Sequence, residues 1–155
     1  MRVIMVGKGG RESALVWAMT KSPFVDEILG ETSSNIDEIV SRALEDRADL
    51  VVIGPEVPLC AGLVDKLEAV GIPAFGPSAA AARLEGSKIA MKRLCDIVNV
   101  PTAPWQIIRR SDYKVRIKTW ANTYDGVPPV VKADGLCSGK GVVVAESIEE
   151  ACEGA

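Results

Sequence analysis

The stretch Pro128-Pro129-Val130-Val131-Lys132-Ala133-Asp134-Gly135-Leu136-Cys137-Ser138-Gly139-Lys140-Gly141-Val142-Val143-Val144-Ala145 decides how the rest of the chain is read. Two short β-branched runs, at 130–131 and 142–144, flank a loop with three glycines and a lysine, a pattern that predicts a β-hairpin with a mobile tip. Gly135, Gly139 and Gly141 let backbone N–H groups approach anionic oxygens without a Cβ clash, and Lys140 adds a compact positive charge. Ser138 stands among them. Lys132 lies inside the first strand, where its ammonium must find either water or an anion. The same residues also suit a hairpin whose glycines only make the turn. Asp134, followed by Gly135, reads as a turn residue bonding local backbone amides.

Outward from this stretch, composition sets the bounds. A chain of 155 residues buries roughly two-thirds of its surface, enough for one sizeable core or one domain plus part of another. The net charge of −3 carries no basic footprint for nucleic acid, so any phosphate site must be built locally. The apolar run at 3–6 is too short for a signal peptide, and no stretch approaches a membrane span. Cys60, Cys95, Cys137 and Cys152 are widely spaced with no C-x-x-C pair, which suggests neither a zinc knuckle nor a disulfide framework but reduced thiols in a cytoplasmic protein. The chain has no histidine, which removes Ser-His-Asp and Cys-His catalysis; its chemistry must use Lys, Arg, Asp, Glu and backbone amides.

From the N-terminus, residues 2–6 read as a buried parallel strand and 11–20 as a helix with Ala14, Leu15, Ala18 and Met19 on one face. Between them, Gly9, Gly10 and Arg11 offer free amides and a bidentate donor where an anion can sit, or else a plain connecting turn. A dinucleotide fingerprint fails there, because Glu12 stands where a third Gly or Ala is required for close helix packing. Helix 36–47 and strand 50–53 follow, and then Gly54-Pro55-Glu56. Glu56, beyond the carboxyl end of a parallel strand, is placed for a sugar hydroxyl or an amine, or serves as a first-turn glutamate favoured by the helix dipole. Helix 59–70, strand 73–75 and a helix at 79–84 capped by Ser78 repeat the pattern. Lys88 opens a helix at 89–98 with Ile89, Met91, Leu94, Cys95 and Val98 on its apolar face; a lysine there is unfavourable unless an anion offsets it or solvent takes it. The stiff segment 100–104 is the best boundary. Beyond it, strand 105–108, helix 112–123, the hairpin and helix 147–153 make a β-α-β-β-α module. Arg109, Arg110, Lys114, Arg116 and Lys118 read as a solvated face.

The run Val-Lys-Ala-Asp-Gly-Leu-x-x-Gly-Lys-Gly-Val-Val-Val resembles the nucleotide-binding hairpin of ATP-grasp enzymes, in the form carried by the phosphoribosylamine–glycine ligase (glycinamide ribonucleotide synthetase) family. The resemblance extends through Gly9-Gly10-Arg11-Glu12, Gly54-Pro55-Glu56-Val57-Pro58-Leu59, Phe75-Gly76-Pro77 and Leu84-Glu85-Gly86-Ser87-Lys88, in the family's order. It implies an α/β fold: a pre-ATP-grasp open parallel sheet with helices on both faces over 1–100, holding substrate, then a partial α+β ATP-grasp lobe over 101–155. It further implies ATP contacts from Lys88, Lys132, Gly135, Ser138, Gly139, Lys140 and Gly141, and phosphoribosylamine contacts from Gly9, Gly10, Arg11, Glu12 and Glu56. The implied reaction is ATP-dependent ligation, in which glycine's carboxylate is activated as an acyl phosphate that the amine of phosphoribosylamine displaces. The adenine-contacting strand and the acidic Mg²⁺ ligands are expected beyond residue 155, so the chain alone is expected not to turn over without that C-terminal portion. Another ATP-grasp ligase, such as a carboxylase subunit, would share the hairpin but lack Gly-Pro-Glu-Val-Pro-Leu; a non-catalytic nucleotide- or anion-binding fragment is the other alternative. Two departures bear on substrate binding: Ser13 stands where the family has His, and after Leu29 the family's Pro-Gly-Asn loop and next strand are missing.

Overall fold

A computed structural model describes all 155 residues, which fall into two compact units, Met1–Gly86 and Ser87–Ala155. The first is built on four parallel strands, β1 (Arg2–Val6), β2 (Glu27–Glu31), β3 (Leu50–Ile53) and β4 (Ala74–Phe75), in the order β2-β1-β3-β4. Central β1 is apolar on both faces because helices cover both. Ile4 and Val6 point into one cluster with Ile39, Ala43, Val51, Ile53, Leu63 and Leu67, while Val3 and Met5 point into another with Val52. That second cluster is covered by α1 (Gly10–Met19) through Leu15, Val16 and Met19. The helix is therefore turned slightly from the expected face, leaving Ala14 and Ala18 exposed, because the larger Val16 gains more by burial than an alanine methyl does.

The chain leaves β2 and enters α2 (Ile36–Glu45) directly, with the Asn35 side chain accepting the Asp37 N–H at 3.0 Å as an N-cap. The region after β3 is not one helix over 59–70. It is α3 (Glu56–Cys60) and α4 (Leu63–Ala69), broken at Gly62, whose φ of +88° no α-helix accommodates. Helix α5 (Ala79–Gly86) closes the unit; Asp65 accepts the Ala79 N–H at 2.7 Å beside the expected Ser78 cap. Strand β1 is followed by a crossover to β2 on one side, and β2 by a crossover to β3 on the other, so the topological switch point lies between β1 and β3.

The second unit contains α6 (Lys88–Ile97), α7 (Tyr113–Thr123), β5 (Val130–Lys132), β6 (Val142–Val144) and α8 (Ile148–Glu153). Strands β5 and β6 form the expected antiparallel hairpin, with Val131 opposite Val143. Val131 packs with Ile117 and Ala151 in the unit's core, while Val130, Lys132, Val142 and Val144 share the outer, exposed face. Residues 105–108 do not form a strand: the sheet has only β5 and β6, and Ile108 reaches the core without joining a ladder. The units meet at Gly86/Ser87, ahead of the 100–104 connector where the sequence places a boundary, because Ser87, Lys88 and Ile89 are bonded to the segment following β5. None of the residues of α6 is buried; Leu94 and Val98, expected on an apolar face, are exposed. No helix is long and apolar enough to cross a membrane.

Candidate functional site

In the first unit, Gly9, Gly10, Arg11, Glu12 and Glu56 come together at the carboxyl edge of β1 and β3, at the switch point where open α/β sheets bind ligands. Glu12 organises the cluster. The residue is 7% exposed, and its side chain folds back so that Oε2 accepts the Gly9 N–H at 2.6 Å. Its other carboxylate oxygen and its Cγ press on Gly54 and Gly7: a Cβ on Gly54 would lie 2.1 Å from Oε1, and one on Gly7 would lie 2.9 Å from Cγ. The position that breaks the dinucleotide fingerprint thus holds a carboxylate that fills the space under two glycine turns and satisfies one of them.

Arg11 turns away from the helix terminus. Its Nη1 donates to the Gly54 carbonyl and its Nη2 to Glu56 Oε1, each at 2.8 Å. The Glu56 bond and charge raise the Arg11 guanidinium above its ordinary value, and the reciprocal bond, with one from its own backbone, holds the Glu56 carboxyl below the usual carboxylate range. The Gly9 amide and two Arg11 nitrogens, which the sequence offers to an anion or to a plain connecting turn, are therefore engaged within the protein. What remains open is the Gly10 N–H at the head of α1, which takes no acceptor in the chain, and a partly exposed, ionised Glu56 carboxylate, an acceptor for hydroxyl or ammonium groups. Ser13 turns its hydroxyl onto the Gly9 carbonyl at 3.0 Å.

In the second unit, the loop joining β5 and β6 carries Gly135, Ser138, Gly139, Lys140 and Gly141. Ser138 and Gly139 both have positive φ, +47° and +78°, and the Lys140 N–H donates to the Cys137 carbonyl at 2.9 Å, so the tip is a turn of the I′ kind whose twist suits a two-stranded hairpin. The N–H groups of Ser138 and Gly139 take no acceptor in the chain, and nothing lies within 4 Å of a Cβ placed on Gly135 or Gly139. Gly141 is different: a Cβ there would lie 2.7 Å from Cys137 Cβ, so it is glycine for packing. Lys132 and Lys140 are exposed and enter none of the chain's eight ion pairs.

Lys88 belongs to this unit as well, and its Nζ donates to the Gly135 carbonyl at 2.9 Å. Asp134 reaches further than the turn role its sequence assigns to it. It does not cap its own turn alone but accepts the Ser87 hydroxyl at 3.0 Å and the Ile89 N–H at 3.2 Å, partners more than forty positions away. No local pattern marks such a contact.

Comparison with known proteins agrees with this layout. The family model of the phosphoribosylglycinamide synthetase N domain matches residues 1–85, and that of the phosphoribosylglycinamide synthetase ATP-grasp (A) domain matches 86–155. The phosphoribosylamine–glycine ligase of Brucella melitensis is 42% identical, with 99% of this chain and 38% of the relative aligned. That of Rhodopirellula baltica is 42% identical over 97% of this chain and 38% of its own length. The trifunctional purine biosynthetic protein adenosine-3 of Gallus gallus is 40% identical over 98% of this chain and 17% of its own. The alignment with the Brucella ligase spans 168 positions against 155 residues here, so this chain lacks at least 13 positions that the ligase has. The chain spans about two-fifths of the length of the bacterial ligases it matches.

Among solved structures, D-alanyl-alanine synthetase A of Vibrio cholerae matches with a TM-score of 0.75 at 16% identity, over 99% of this chain and 54% of that one. The biotin carboxylase domain of Hydrogenobacter thermophilus 2-oxoglutarate carboxylase, solved with MgADP and bicarbonate, matches at 0.72 and 18% identity, over 98% of this chain and 39% of that one. Likeness at these identities speaks for the α/β fold alone. With the N-domain model covering more than half of the residues and the ATP-grasp model covering the rest, the chain belongs to the phosphoribosylglycinamide synthetase family.

Proposed function

We propose that this chain is the N-terminal portion of an ATP-dependent carbon–nitrogen ligase that joins glycine to phosphoribosylamine, giving glycinamide ribonucleotide in purine biosynthesis, and that it works in the cytoplasm. The observation that carries the reading is the tip of the β5–β6 loop, where two unbonded amides and the unpaired Lys140 stand together, with Lys132 also unpaired on β5. Phosphoryl transfer is mostly positioning and charge neutralisation, and such a loop supplies both without a side-chain base. The open amides fit a phosphate oxygen, the lysines neutralise its charge, and the exposed Val130, Val142 and Val144 beside Lys132 offer an apolar wall. In the first unit, Glu56 is held ionised by Arg11 and so accepts from the amine or a ribose hydroxyl of phosphoribosylamine, while Glu12 keeps the two glycine turns in place. For the substrate's own phosphate this loop retains the Gly10 N–H at the head of α1, since the Gly9 amide and two Arg11 nitrogens are already bonded.

Mg²⁺ would supply positive charge against the developing phosphate charge in such a reaction. No group of three or more acidic, Cys or His side chains in this chain is arranged to hold a metal, so the residues present do not form its site, and we assign its ligands to the C-terminal portion. The test is phosphate release dependent on ATP, glycine and phosphoribosylamine by the purified chain, alone and then mixed with the C-terminal two-thirds of a family member. Recovery only on mixing is the expected outcome. Release by the chain alone refutes the division of labour, and no release in either case favours a fragment that binds nucleotide or anion without turning over.

A further inference from the structure

We infer that Asp134 is a positioning residue for the nucleotide loop: its carboxylate ties the base of that loop to the N-terminus of α6, and the tie sets Lys88 against Gly135. The inference rests on the reading of the β5–β6 loop as the phosphate-holding element.

Helix α6 begins with backbone N–H groups that have no helical acceptor, and Lys88 stands among them with a charge of the wrong sign for the positive end of a helix. The arrangement is balanced from within the unit. Ser87 Oγ accepts the Ala90 N–H at 3.0 Å, and the same hydroxyl lies 3.0 and 3.1 Å from the two Asp134 oxygens. Asp134 Oδ1 also accepts the Ile89 N–H at 3.2 Å. A carboxylate therefore occupies the helix end where an external anion would otherwise be required. Burial pushes the Asp134 carboxyl up, but the Ile89 N–H, the Ser87 hydroxyl and neighbouring amides outweigh it and hold the group below the ordinary range, so it is charged at neutral pH.

Lys88 is the second half of the tie. Its ammonium spends one of three donors on the Gly135 carbonyl at 2.9 Å, which leaves two for a ligand at the loop. A four-carbon stem is flexible, and fixing its end before a ligand arrives removes an entropy cost from binding. Asp134 and Gly135 are adjacent, so the bond to α6 and the bond from Lys88 close a small ring of contacts at the foot of the loop. It follows that phosphate is met by Lys88, Lys140 and the Ser138 and Gly139 amides, and that the α6 terminus itself is closed to it.

The experiment uses the 155-residue chain mixed with the C-terminal two-thirds of a family member, so that the nucleotide site is whole, and two variants of the chain, Asp134→Asn, which keeps an acceptor for Ile89 but no charge, and Asp134→Ala, which keeps neither. Amide exchange is followed by NMR at Ile89, and ATP is titrated while the Ser138 and Gly139 amides are observed. In D134A, exchange at Ile89 rises roughly three- to tenfold, the range for an exposed charge-assisted bond, and the midpoint of the ATP titration rises by a similar factor. D134N recovers part of both, and the core amides of Ile117 and Val131 are unchanged in each variant. ATP titrations that superimpose for wild type and D134A overturn the positioning role, even with faster exchange at Ile89. Absence of any ATP-dependent shift at Ser138 and Gly139 in the wild type overturns it together with the nucleotide reading of the loop, which separates the two failures.

Discussion

Gly54→Ala is the most searching perturbation of the first unit. Gly54 is buried and its φ is not positive, so alanine suits the backbone, and by chain entropy alone the change would stabilise by about 0.4–1 kcal/mol. The added methyl, however, would lie 2.1 Å from Glu12 Oε1 and 2.5 Å from Glu12 Cγ. The cheapest relief is for Glu12 to swing into water. That movement gives up its bond to the Gly9 N–H, a charge-assisted contact contributing about 1.5–3 kcal/mol. The net expectation is a loss of roughly 0.5–2.5 kcal/mol. It is measured by urea unfolding followed by circular dichroism, with exchange of the β1 and β3 amides isolating the first unit. The decisive arm is a double-mutant cycle with Glu12→Ala. Once the Glu12 side chain is truncated, Gly54→Ala should be neutral or slightly stabilising, because the three atoms nearest the methyl all belong to that side chain. An equal loss in both backgrounds would refute the view that Gly54 is glycine in order to admit Glu12.

Gly141→Ala should loosen the hairpin by about 1–3 kcal/mol, since its Cβ meets Cys137 Cβ at 2.7 Å and Sγ at 2.8 Å; a companion Cys137→Gly, which removes both atoms, that fails to restore exchange protection at Val131 and Val143 would count against this contact. Lys132→Ala, in a chain extended through the whole nucleotide site, should weaken ATP binding by about 1.5–3 kcal/mol, and an unchanged affinity in calorimetry would remove Lys132 from the site. Because Arg11 lowers the folded-state pKa of Glu56, this pair's contribution is present above the ordinary glutamate range and is lost as the pH falls through the lowered value. Glu56→Gln should flatten that part of the acid limb of the stability curve, and a superimposable limb would show that the pair contributes nothing there.

The layers of this protein were legible in the chain because each rests on a local pattern. The apolar run of β1, the glycine turn after it, the repeat of that pattern at 50–56 and the β-branched runs either side of the loop need only periodicity and turn chemistry to be read, and all of them form. The motifs at 9–12, 54–59 and 130–144 likewise pointed to the family that the comparisons then established. Where the reading slipped, a partner distant in sequence decided the outcome. Residues 105–108 have strand-like composition, but a strand exists only where another offers a ladder, and the two-stranded sheet offers none. At Lys88 the sequence leaves an external anion or solvent to offset the charge, whereas Asp134, which a local rule assigns to its own turn, supplies the carboxylate at the head of α6. Arg11 and Gly9 were read as open donors, whereas Glu56, Gly54 and Glu12 take up their bonds once β1 and β3 lie side by side. The sequence determined which segments form and which residue types gather at the strand ends and the hairpin. Which of those groups remain free for a ligand was decided by tertiary structure alone, because hydrogen-bond donors and acceptors satisfy one another through space.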